Sequence, residues 1–409
     1  MKTLLKMAWL NIWRNKRRTL ILLCAMAAGL IGVLFTMGFM QGWMNQMVDN
    51  AIMTYEGHVK ILGKGFQRNP VIENSMPAMP DVEGILNRDP RVRAWTERLT
   101  AQGLLSTPTD SRVVTIVGAD PDREPQVSVI GEALRDGEFV SSKEPLKIAI
   151  GRTLSEKIKK GLGKKVVLMS QRLDGEIGSA AFRVGGLFDT GSGSYDESTV
   201  YISLADARQM LAEGDRVTEI TILLHDIKDS EVVAADLARE LKERGVEVVT
   251  WKDRLPFIVE MIKLSDRFAI PYYALFYIAM AFGIVNTLLM AIGERTHEIG
   301  IMLAMGMHRR TLVLLIMLES LFLAILAALA GAGIGWGLVA WFGHRGIDLS
   351  AFSAAMEYYG LGHVLYPVLD PGRAAWAVVA MLAVALVFSF YPAARAARLV
   401  PVEAIRRAG

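Results

Sequence analysis

Four long apolar runs with almost no charged residues constrain the fold of this chain more than any other feature of its sequence. Residues 19–48, 268–293 and 374–394 contain no charged side chain, and residues 311–343 contain only Glu319. Each run exceeds the roughly 20 apolar residues that a helix needs to cross the hydrocarbon core of a bilayer. The sequence therefore predicts four transmembrane helices, which excludes an ordinary soluble enzyme.

The basic residues indicate how these helices are oriented. Six Lys or Arg precede the first helix, three lie between the second and the third, and four follow the fourth. Short segments rich in Lys and Arg stay in the cytoplasm. Both termini, including the tail at 395–409, and residues 294–310 are therefore predicted inside, and residues 49–267 and 344–373 outside.

The first 18 residues combine basic and apolar side chains. The apolar residues recur at helical spacing, and they are Leu4, Leu5, Ala8, Trp9, Ile12 and Trp13. This pattern is typical of an interfacial helix at residues 1–18 on the cytoplasmic membrane surface, although the first transmembrane helix could instead continue into the cytoplasm. A cleaved signal peptide is a further alternative, but the apolar run exceeds the usual 7 to 15 residues and no Ala-x-Ala-like site follows. An uncleaved anchor is therefore favoured.

The region between the first and second apolar runs reads as an α+β domain. Short β-rich runs and helical runs are separated by Gly, Pro and Asp. Residues 219–251 read as strand, helix and strand, and this unit is predicted to pair with the region 58–117, which implies two subdomains, one inserted in the other. Residues 189–197 are rich in Gly and Ser but lack the Lys of a phosphate-binding loop, so a flexible loop is predicted there.

Composition and motifs exclude several classes of function. The net charge of +3, from 45 basic and 42 acidic residues, gives no basic field for nucleic acid. Cys24 is the only cysteine, so no intrachain disulfide is possible, and the six histidines show no metal-ligand spacing. The Gly-rich run 161–165 departs from the P-loop pattern, and no nucleophile motif is present. We therefore predict no catalytic residue, no metal site and no cofactor on this chain.

The segment between the second and third helices has charged residues on both sides of an apolar stretch. One helical turn would place Glu294 and Glu298 on one face, and Ile299, Met302 and Leu303 on another. Such an amphipathic helix, held at the membrane surface, could dock in the groove of a partner protein. A membrane-surface helix with a solvated polar face is the alternative, and these residues alone do not decide between the two.

The third helix carries two further features. Gly331, Gly333, Gly335 and Gly337 form two overlapping Gly-xxx-Gly pairs, which suit close helix packing. A flexible, lipid-facing backbone is the alternative. Glu319 is an ionisable residue inside the span and is expected to face a partner or water; because it lies about two turns from the inner face, snorkelling to that face is the alternative. We assign it no proton transfer.

Several long segments resemble one family of membrane proteins. GERTHEIGIMLAMGMHRRTLVLLIMLESLFLAILAALAGAGIGWGL (293–338) and YPAARAARLVPVEAIRRAG (391–409) resemble the coupling loop, third helix and C-terminal signature of FtsX/MacB-type ABC transporter permeases. The segments IAIGRTLSEKIKKGLGKKVVL, FRVGGLF and VYISLADARQML look like the MacB-type periplasmic core domain. The topology of that family, one helix, a large periplasmic domain and three helices, equals the one predicted from charge and hydropathy.

The resemblance implies partners and a location. It implies a permease of the bacterial inner membrane that dimerises with a second copy or a sister permease, and a separate cytoplasmic ATPase dimer that carries ATP and Mg. The loop 294–310 would be the coupling helix seated in the ATPase. The docking residues that this implies are Glu294, Arg295, His297, Glu298, Gly300, Gly306 and Arg309. The C-terminal signature, with a Tyr-Pro-Ala turn, comprises Tyr391, Pro392, Pro401, Glu403 and Arg406.

The substrate class is predicted from the branches of the family. The segment EGHVKILGKGF and the outer loop 344–373 are similar to the LolC/LolE branch, whereas the coupling segment EIGIMLAMGM is nearer the exporters. We predict that lipoproteins are extracted from the inner membrane and released to a periplasmic carrier, by ATP-driven motion transmitted mechanically. MacB-like efflux of drugs or peptides, an FtsX-like regulator, and a sensor or scaffold are the alternatives.

The lipoprotein prediction has structural consequences. It predicts an apolar surface on the outer domain and a lateral opening between helices one and two for acyl chains. Exposed side chains at Phe66, Phe257 and Phe268 would be consistent with it.

Overall fold

An α+β domain is inserted after the first of four long apolar helices in this chain. The computed structural model describes residues 2–211, 214–352 and 363–400. The chain divides into two units. The membrane unit comprises residues 1–44, 262–348 and 364–409, and the inserted domain comprises residues 45–261 and 349–363. Four helices in the described part are long and apolar enough to cross a membrane, which confirms the predicted fold class.

Two helices precede the inserted domain. Helix α1 (Lys2–Arg14) ends before Asn15, and α2 (Lys16–Ala51) begins directly after it, so the N-terminal residues form a helix of their own. The hydroxyl of Thr19 donates to the carbonyl of Ile12, 2.5 Å away, across this break. The exposed large apolar side chains of α1 are Leu5, Trp9, Leu10 and Trp13. Exposed Trp and Leu suit a helix that lies in a lipid interface.

A π-helical turn (Ile52–Glu56) leads from α2 into the strands and helices of the inserted domain. The strands are β1 (Val59–Gly63), β2 (Met76–Pro77), β3 (Val92–Ser106), β4 (Ser111–Ala119), β5 (Leu134–Gly137), β6 (Lys147–Gly151), β7 (Lys165–Gln171), β8 (Ile177–Phe188), β9 (Thr199–Ser203), β10 (Arg216–Val217), β11 (Glu219–Leu224) and β12 (Val246–Thr250). The helices are α3 (Pro80–Arg88), α4 (Glu124–Val127), α5 (Ile130–Ala133), α6 (Arg152–Ile158), α7 (Gly193–Ser198), α8 (Leu204–Leu211), α9 (Ser230–Glu240) and α10 (Trp251–Arg254).

Six strands of the domain close into a ring. Their order is β3, β4, β9, β6, β8 and β7, and β7 pairs in turn with β3. The 15 residues of β3 are long enough to pair with both β4 and β7. Alternate residues of these strands point inward, and the buried core includes Leu99, Ile116, Ile148, Leu168 and Val200.

A second part of the sheet extends from β3 in the order β11, β1 and β12. Because β1 lies between β11 and β12, and β11 also pairs with β3, the predicted pairing of residues 219–251 with the region 58–117 is confirmed. A separate core forms on one face of these strands. Its members include Val59, Ile61, Val82, Trp95 and Leu237, which come from the strands, α3 and α9.

Residues 193–198 form the short helix α7, so the prediction of a flexible loop over 189–197 is wrong for this part. The side chain of Asp196 is buried and accepts hydrogen bonds from the backbone N–H and the hydroxyl of Thr190, at 3.1 and 2.7 Å. These bonds fix the turn that leads into α7, which composition alone does not reveal.

Four helices follow the inserted domain: α11 (Pro256–Glu294), α12 (Thr296–Ala304), α13 (Arg309–Arg345) and α14 (Pro371–Ala397). The short strands β13 (Ile347–Asp348) and β14 (Val364–Leu365) pair between α13 and α14. Each of the membrane helices is longer than the apolar run that predicted it. Side chains from α2, α11, α13 and α14 share one buried core in the membrane unit.

The four glycines of α13 divide into two pairs. A Cβ atom at Gly331 would lie 3.0 Å from the carbonyl oxygen of Ala27, and one at Gly335 would lie 3.1 Å from Cδ1 of Leu34, so both glycines pack against α2. At Gly333 and Gly337 the same position has no neighbouring heavy atom of the described residues within 4 Å. This second pair lies about 200° further round the helix, and its predicted helix packing stays a prediction.

One expectation attached to a lipid substrate differs from the structure. Phe66 is buried with Leu62 and Val249, and only Phe257 and Phe268 of the three are exposed. Helices α2 and α11 approach each other closely at one point, where a Cβ atom at Gly29 would lie 2.7 Å from Cγ of Met280, and the lateral opening stays a prediction. Phe66 follows the buried strand β1, and its ring packs in a small cluster with one side chain of β1 and one of β12.

Candidate functional site

The predicted coupling segment is a separate short helix that is held by its neighbours in the membrane unit. Helix α12 is separated from α11 only by Arg295. Its inner side buries Ile299 and Gly300, and Ile299 packs with side chains of α13 and α14. These partners are Leu312, Ile316, Ala393, Ala396 and Ala397. Helix α12 thus rests on two membrane helices by an apolar face.

A residue in the left-handed conformation ends α12. Gly306 has a φ of +94°, a conformation that glycine adopts at little cost. Its N–H donates to the carbonyl of Leu303, and the N–H of Met307 donates to that of Met302, at 3.1 and 3.0 Å. This arrangement satisfies carbonyls at the helix end and accounts for Gly306 without a partner protein.

Charged side chains tie α12 to the N-terminal helix. Arg14 donates two hydrogen bonds to the carboxylate of Glu298, one of them 2.7 Å long from Nη1 to Oε2, and Arg18 forms an ion pair with Glu294. Arg295 lies 3.3 Å from Glu298 through Nε. The hydrogen bond from Arg14, and to a smaller extent that from Arg295, holds the pKa of Glu298 below its usual value despite the opposite effect of burial.

Glu319 continues this network into the membrane-spanning helix α13. Its carboxylate accepts a hydrogen bond from Asn11 Nδ2 at 2.5 Å, and it lies 3.3 Å from Nη1 of Arg295. Glu319 therefore has two polar partners, as expected, and both belong to the same membrane unit. A cavity of about 250 Å³ lies among these groups, and it is also lined by Asn15, Leu22, Leu288 and Leu323.

The outer side of α12 is exposed and largely apolar. His297, Ile301 and Met305 follow one another at four-residue spacing and are all exposed, Met305 to 77%. His308, Arg309 and Arg310 continue the exposed surface at the start of α13. An open groove of about 500 Å³ lies beside this surface, lined by Met7, Met302, Met305, Gly306, Met307, His308 and Thr311.

The structure therefore separates the seven predicted docking residues. His297, Gly306 and Arg309 are exposed, whereas Gly300 is buried. Glu294, Arg295 and Glu298 have ion-pair partners within the chain. The residues that sequence reasoning missed are Asn11, Arg14 and Arg18. The sequence does contain a matching spacing that could have indicated these contacts. Arg14 and Arg18 stand four positions apart, and so do the two glutamates that they bind.

The C-terminal signature is described only in part. Tyr391 is exposed on α14, and Pro392 is buried inside the same helix. The predicted Tyr-Pro-Ala turn is therefore wrong. A proline is tolerated inside a membrane helix where neighbouring helices support the backbone, and Ala393, Ala396 and Ala397 pack against α12 and α13. Pro401, Glu403 and Arg406 lie outside the described residues.

The site consists of ion pairs and an exposed, largely apolar surface. In the described part of the chain, no group of three or more His, Cys, Asp or Glu side chains is arranged to hold a metal ion.

Two family models match most of the sequence. The FtsX-like permease C-terminal model matches residues 272–401, and the MacB-like periplasmic core domain model matches residues 19–240, more than half of the chain. The chain belongs to the FtsX/MacB permease family. It is therefore an ABC transporter permease, a multi-pass membrane subunit rather than an enzyme, and the inserted domain is a MacB-like periplasmic domain. Membership of this family implies an ATPase partner.

Individual proteins resemble the permease over nearly its full length. The lipoprotein-releasing system transmembrane protein LolC of Xylella fastidiosa is 24% identical, over 93% of this chain and 91% of that protein. LolC of Neisseria meningitidis is 24% identical, over 98% of both chains. The macrolide export ATP-binding/permease protein MacB of Agrobacterium fabrum is 23% identical, over 98% of this chain and 60% of that protein.

A solved structure is also similar. The crystal structure of the periplasmic region of MacB from Actinobacillus actinomycetemcomitans has a TM-score of 0.35 and 15% identity. The match covers 50% of the permease and 92% of that chain.

Proposed function

We propose that the permease is the membrane subunit of a lipoprotein-releasing ABC transporter. The similarity to LolC proteins over more than nine tenths of both chains carries this proposal. ATP hydrolysis on a separate ATPase dimer, which binds ATP and Mg, drives a conformational change of the periplasmic domain. The lipoprotein leaves the inner membrane and passes to a periplasmic carrier.

The proposed orientation places α1, α12 and both termini in the cytoplasm. The support is the distribution of Lys and Arg along the sequence. The permease acts as a dimer, formed with a second copy or with a sister permease, because a single permease chain supplies one coupling helix to a dimeric ATPase. Lipid contacts the exposed apolar side chains of the four membrane helices.

The ATPase docks on the exposed side of α12 in this proposal. His297, Ile301 and Met305 form an exposed stripe along one side of the segment. Ile301 and Met305 stand at i and i+4, the spacing of the apolar anchors with which a helix binds in a groove of another protein. Arg309 extends the surface with a positive charge. Glu294, Arg295 and Glu298 contribute indirectly, because their charges are neutralised by partners in the permease itself.

The experiment that tests docking uses the full-length permease, purified with its cognate ATPase in nanodiscs. We expect Ile301→Glu and Met305→Glu to weaken ATPase binding by about tenfold or more, since apolar anchors at the centre of an interface dominate its binding energy. Val232→Glu, which introduces the same charge at an exposed residue of α9, serves as the control. Binding that is unchanged by both α12 variants would contradict the docking face.

The substrate class needs its own measurement. A triacylated lipoprotein and a panel of amphiphilic drugs are presented separately to the same nanodisc complex, and ATP turnover and substrate release are recorded. Release of the lipoprotein in an ATP-dependent manner supports the proposal.

Efflux is the second candidate function. It is favoured by the 23% identity to MacB of Agrobacterium fabrum over 98% of this chain. A response of ATP turnover to drugs or peptides, with no response to the lipoprotein, would replace lipoprotein release by efflux.

A further inference from the structure

The N-terminal helix and the coupling segment are joined by two ion pairs of matching spacing. Arg14 and Arg18 stand four positions apart at the junction of α1 and α2, and Glu298 and Glu294 stand four positions apart at the junction of α11 and α12. Each arginine binds one glutamate. Both junctions are breaks between helices, so the continuity of a helix does not fix the position of α12.

A closed circuit of polar contacts includes the first of these pairs. It runs from Asn11 to Glu319 at 2.5 Å, from Glu319 to Arg295 at 3.3 Å, from Arg295 to Glu298 at 3.3 Å, and from Glu298 to Arg14, which returns it to α1. Three helices and the α11–α12 junction are thus joined. We call this circuit, together with the pair between Arg18 and Glu294, the clasp.

The clasp differs in one respect from ordinary surface ion pairs. A single exposed pair contributes little, because side-chain entropy and solvent offset the attraction. Here one member, Glu319, is only 13% exposed and lies within a membrane-spanning helix. Removal of Arg295 leaves the carboxylate of Glu319 without a positive partner in a low-dielectric setting, where an unpaired charge is costly. Because Arg295 and Glu298 each take part in two contacts of the circuit, the contacts of the circuit are coupled to one another rather than independent.

We propose that residues 2–18 are a positioning element for energy coupling, in which the clasp holds α12 against the N-terminal helix so that the two move as one body. This inference rests on the proposed function. Glu294 and Glu298 then act through Arg18 and Arg14, and not by touching the ATPase. A displacement of α12 by the ATPase is passed directly to α1 and, through Asn15, to the start of α2.

The first test measures the clasp in the permease alone. Cys24 is replaced by Ser, and cysteines are introduced at Met7 and Met305, which line the same groove, for cross-linking by a short bis-maleimide. We expect Arg18→Glu or Glu294→Arg to slow cross-linking by about three- to fivefold, and the double exchange to restore it, as expected for coupled neighbours. The matched control is Arg17→Glu, because Arg17 is exposed and has no ion pair among the described residues.

The second test measures coupling in the complex with the ATPase. The clasp variants should lose ATP-dependent substrate release by about three- to fivefold while they still bind the ATPase, and the double exchange should recover release. Cross-linking that Arg18→Glu leaves unchanged would overturn the clasp. Slower cross-linking with normal release would overturn its positioning role. If the wild-type permease binds no ATPase at all, the proposed function fails, and the positioning role fails with it, while the cross-linking ratio still decides whether the clasp exists.

Discussion

Nε of Arg254 lies 3.2 Å from Oε2 of Glu56. Glu56 ends the π-helical turn that follows α2, and Arg254 ends α10, two positions before α11 begins. Glu56 also binds Nζ of Lys60 at 3.1 Å, and Lys60 binds Glu219 at the same distance. The two chain segments that enter and leave the periplasmic domain are thus tied to each other and to the sheet. We expect this joint to transmit motion.

Replacement of Arg254 should uncouple ATP turnover from substrate release. Arg254→Gln removes the only charge that joins α10 to Glu56 among the described contacts, but Lys60 still neutralises Glu56, so the domain remains folded. The expected result is release reduced by about fivefold with ATP turnover retained, measured on the reconstituted complex. The control is Lys252→Gln. Lys252 lies on the same helix as Arg254, and the substitution breaks its exposed ion pair with Glu231 of α9. Equal effects of the two variants would argue against the joint.

Arg98 forms the most deeply buried part of the same network. It is fully buried and donates to both carboxylate oxygens of Glu124, at 2.9 and 2.7 Å. Attraction to Glu124 keeps the pKa of Arg98 above its usual value, although burial acts in the opposite direction. The ring of Tyr55 lies 4.7 Å from its guanidinium carbon.

Arg98→Ala should lower the free energy of unfolding of the periplasmic domain by about 3 to 5 kcal/mol. The substitution leaves Glu124 buried without its main partner, and an unpaired buried charge is far more costly than a lost surface pair. Urea unfolding of the full-length protein in detergent measures the change. Arg244→Ala, which removes an ion pair with Asp81 at an exposed position, should cost less than about 1 kcal/mol. A similar loss in both variants would refute the argument.

The four membrane helices could be predicted from the sequence, but the polar networks could not. A run of more than about 20 apolar residues without charges is most stable in the hydrocarbon core of a bilayer. Residues 268–293 therefore indicate a membrane helix directly. Lys60 stands between apolar residues in a strand, where alternation predicts a solvent-facing side chain, yet it is 1% exposed. Arg14 and Glu298 are 284 positions apart. Only the packing of distant elements decides which charges meet, and one sequence carries no information on that packing beyond matched spacing.

The glycines of α13 allow a comparison within one helix. Gly335→Leu places a side chain against Leu34 and the backbone of α2, whereas Gly337→Leu adds the same side chain where no described atom lies within 4 Å. Overpacking of a close contact costs about 1 to 3 kcal/mol. We expect the midpoint of thermal unfolding in detergent to fall for Gly335→Leu and to stay near the wild-type value for Gly337→Leu. A fall for both would mean that Gly337 also lies in an interface, for example with a second permease.

Stability of the periplasmic domain should fall as the pH is lowered through the titration of His58. Burial lowers the pKa of His58 below its usual 6.5, and this effect outweighs the opposite effect of Asp226, while Arg93 acts in the same direction as burial. Nδ1 of His58 accepts a hydrogen bond of 2.8 Å from the N–H of Leu224, which only an unprotonated nitrogen can do.

The sign of the effect follows from the direction of the pKa shift. The folded state favours the neutral imidazole, so His58 becomes protonated at a higher pH in the unfolded state than in the folded state. Acidification therefore stabilises the unfolded state relative to the folded state. The contribution to stability is complete above pH 6.5 and is lost as the pH falls through the lower folded pKa. Unfolding midpoints of the full-length protein at pH 7.5 and 5.5 should therefore differ more for the wild type than for His58→Asn, whose amide oxygen can accept the same bond without titrating. An equal pH dependence in the two proteins would show that other groups control the acid sensitivity of the domain.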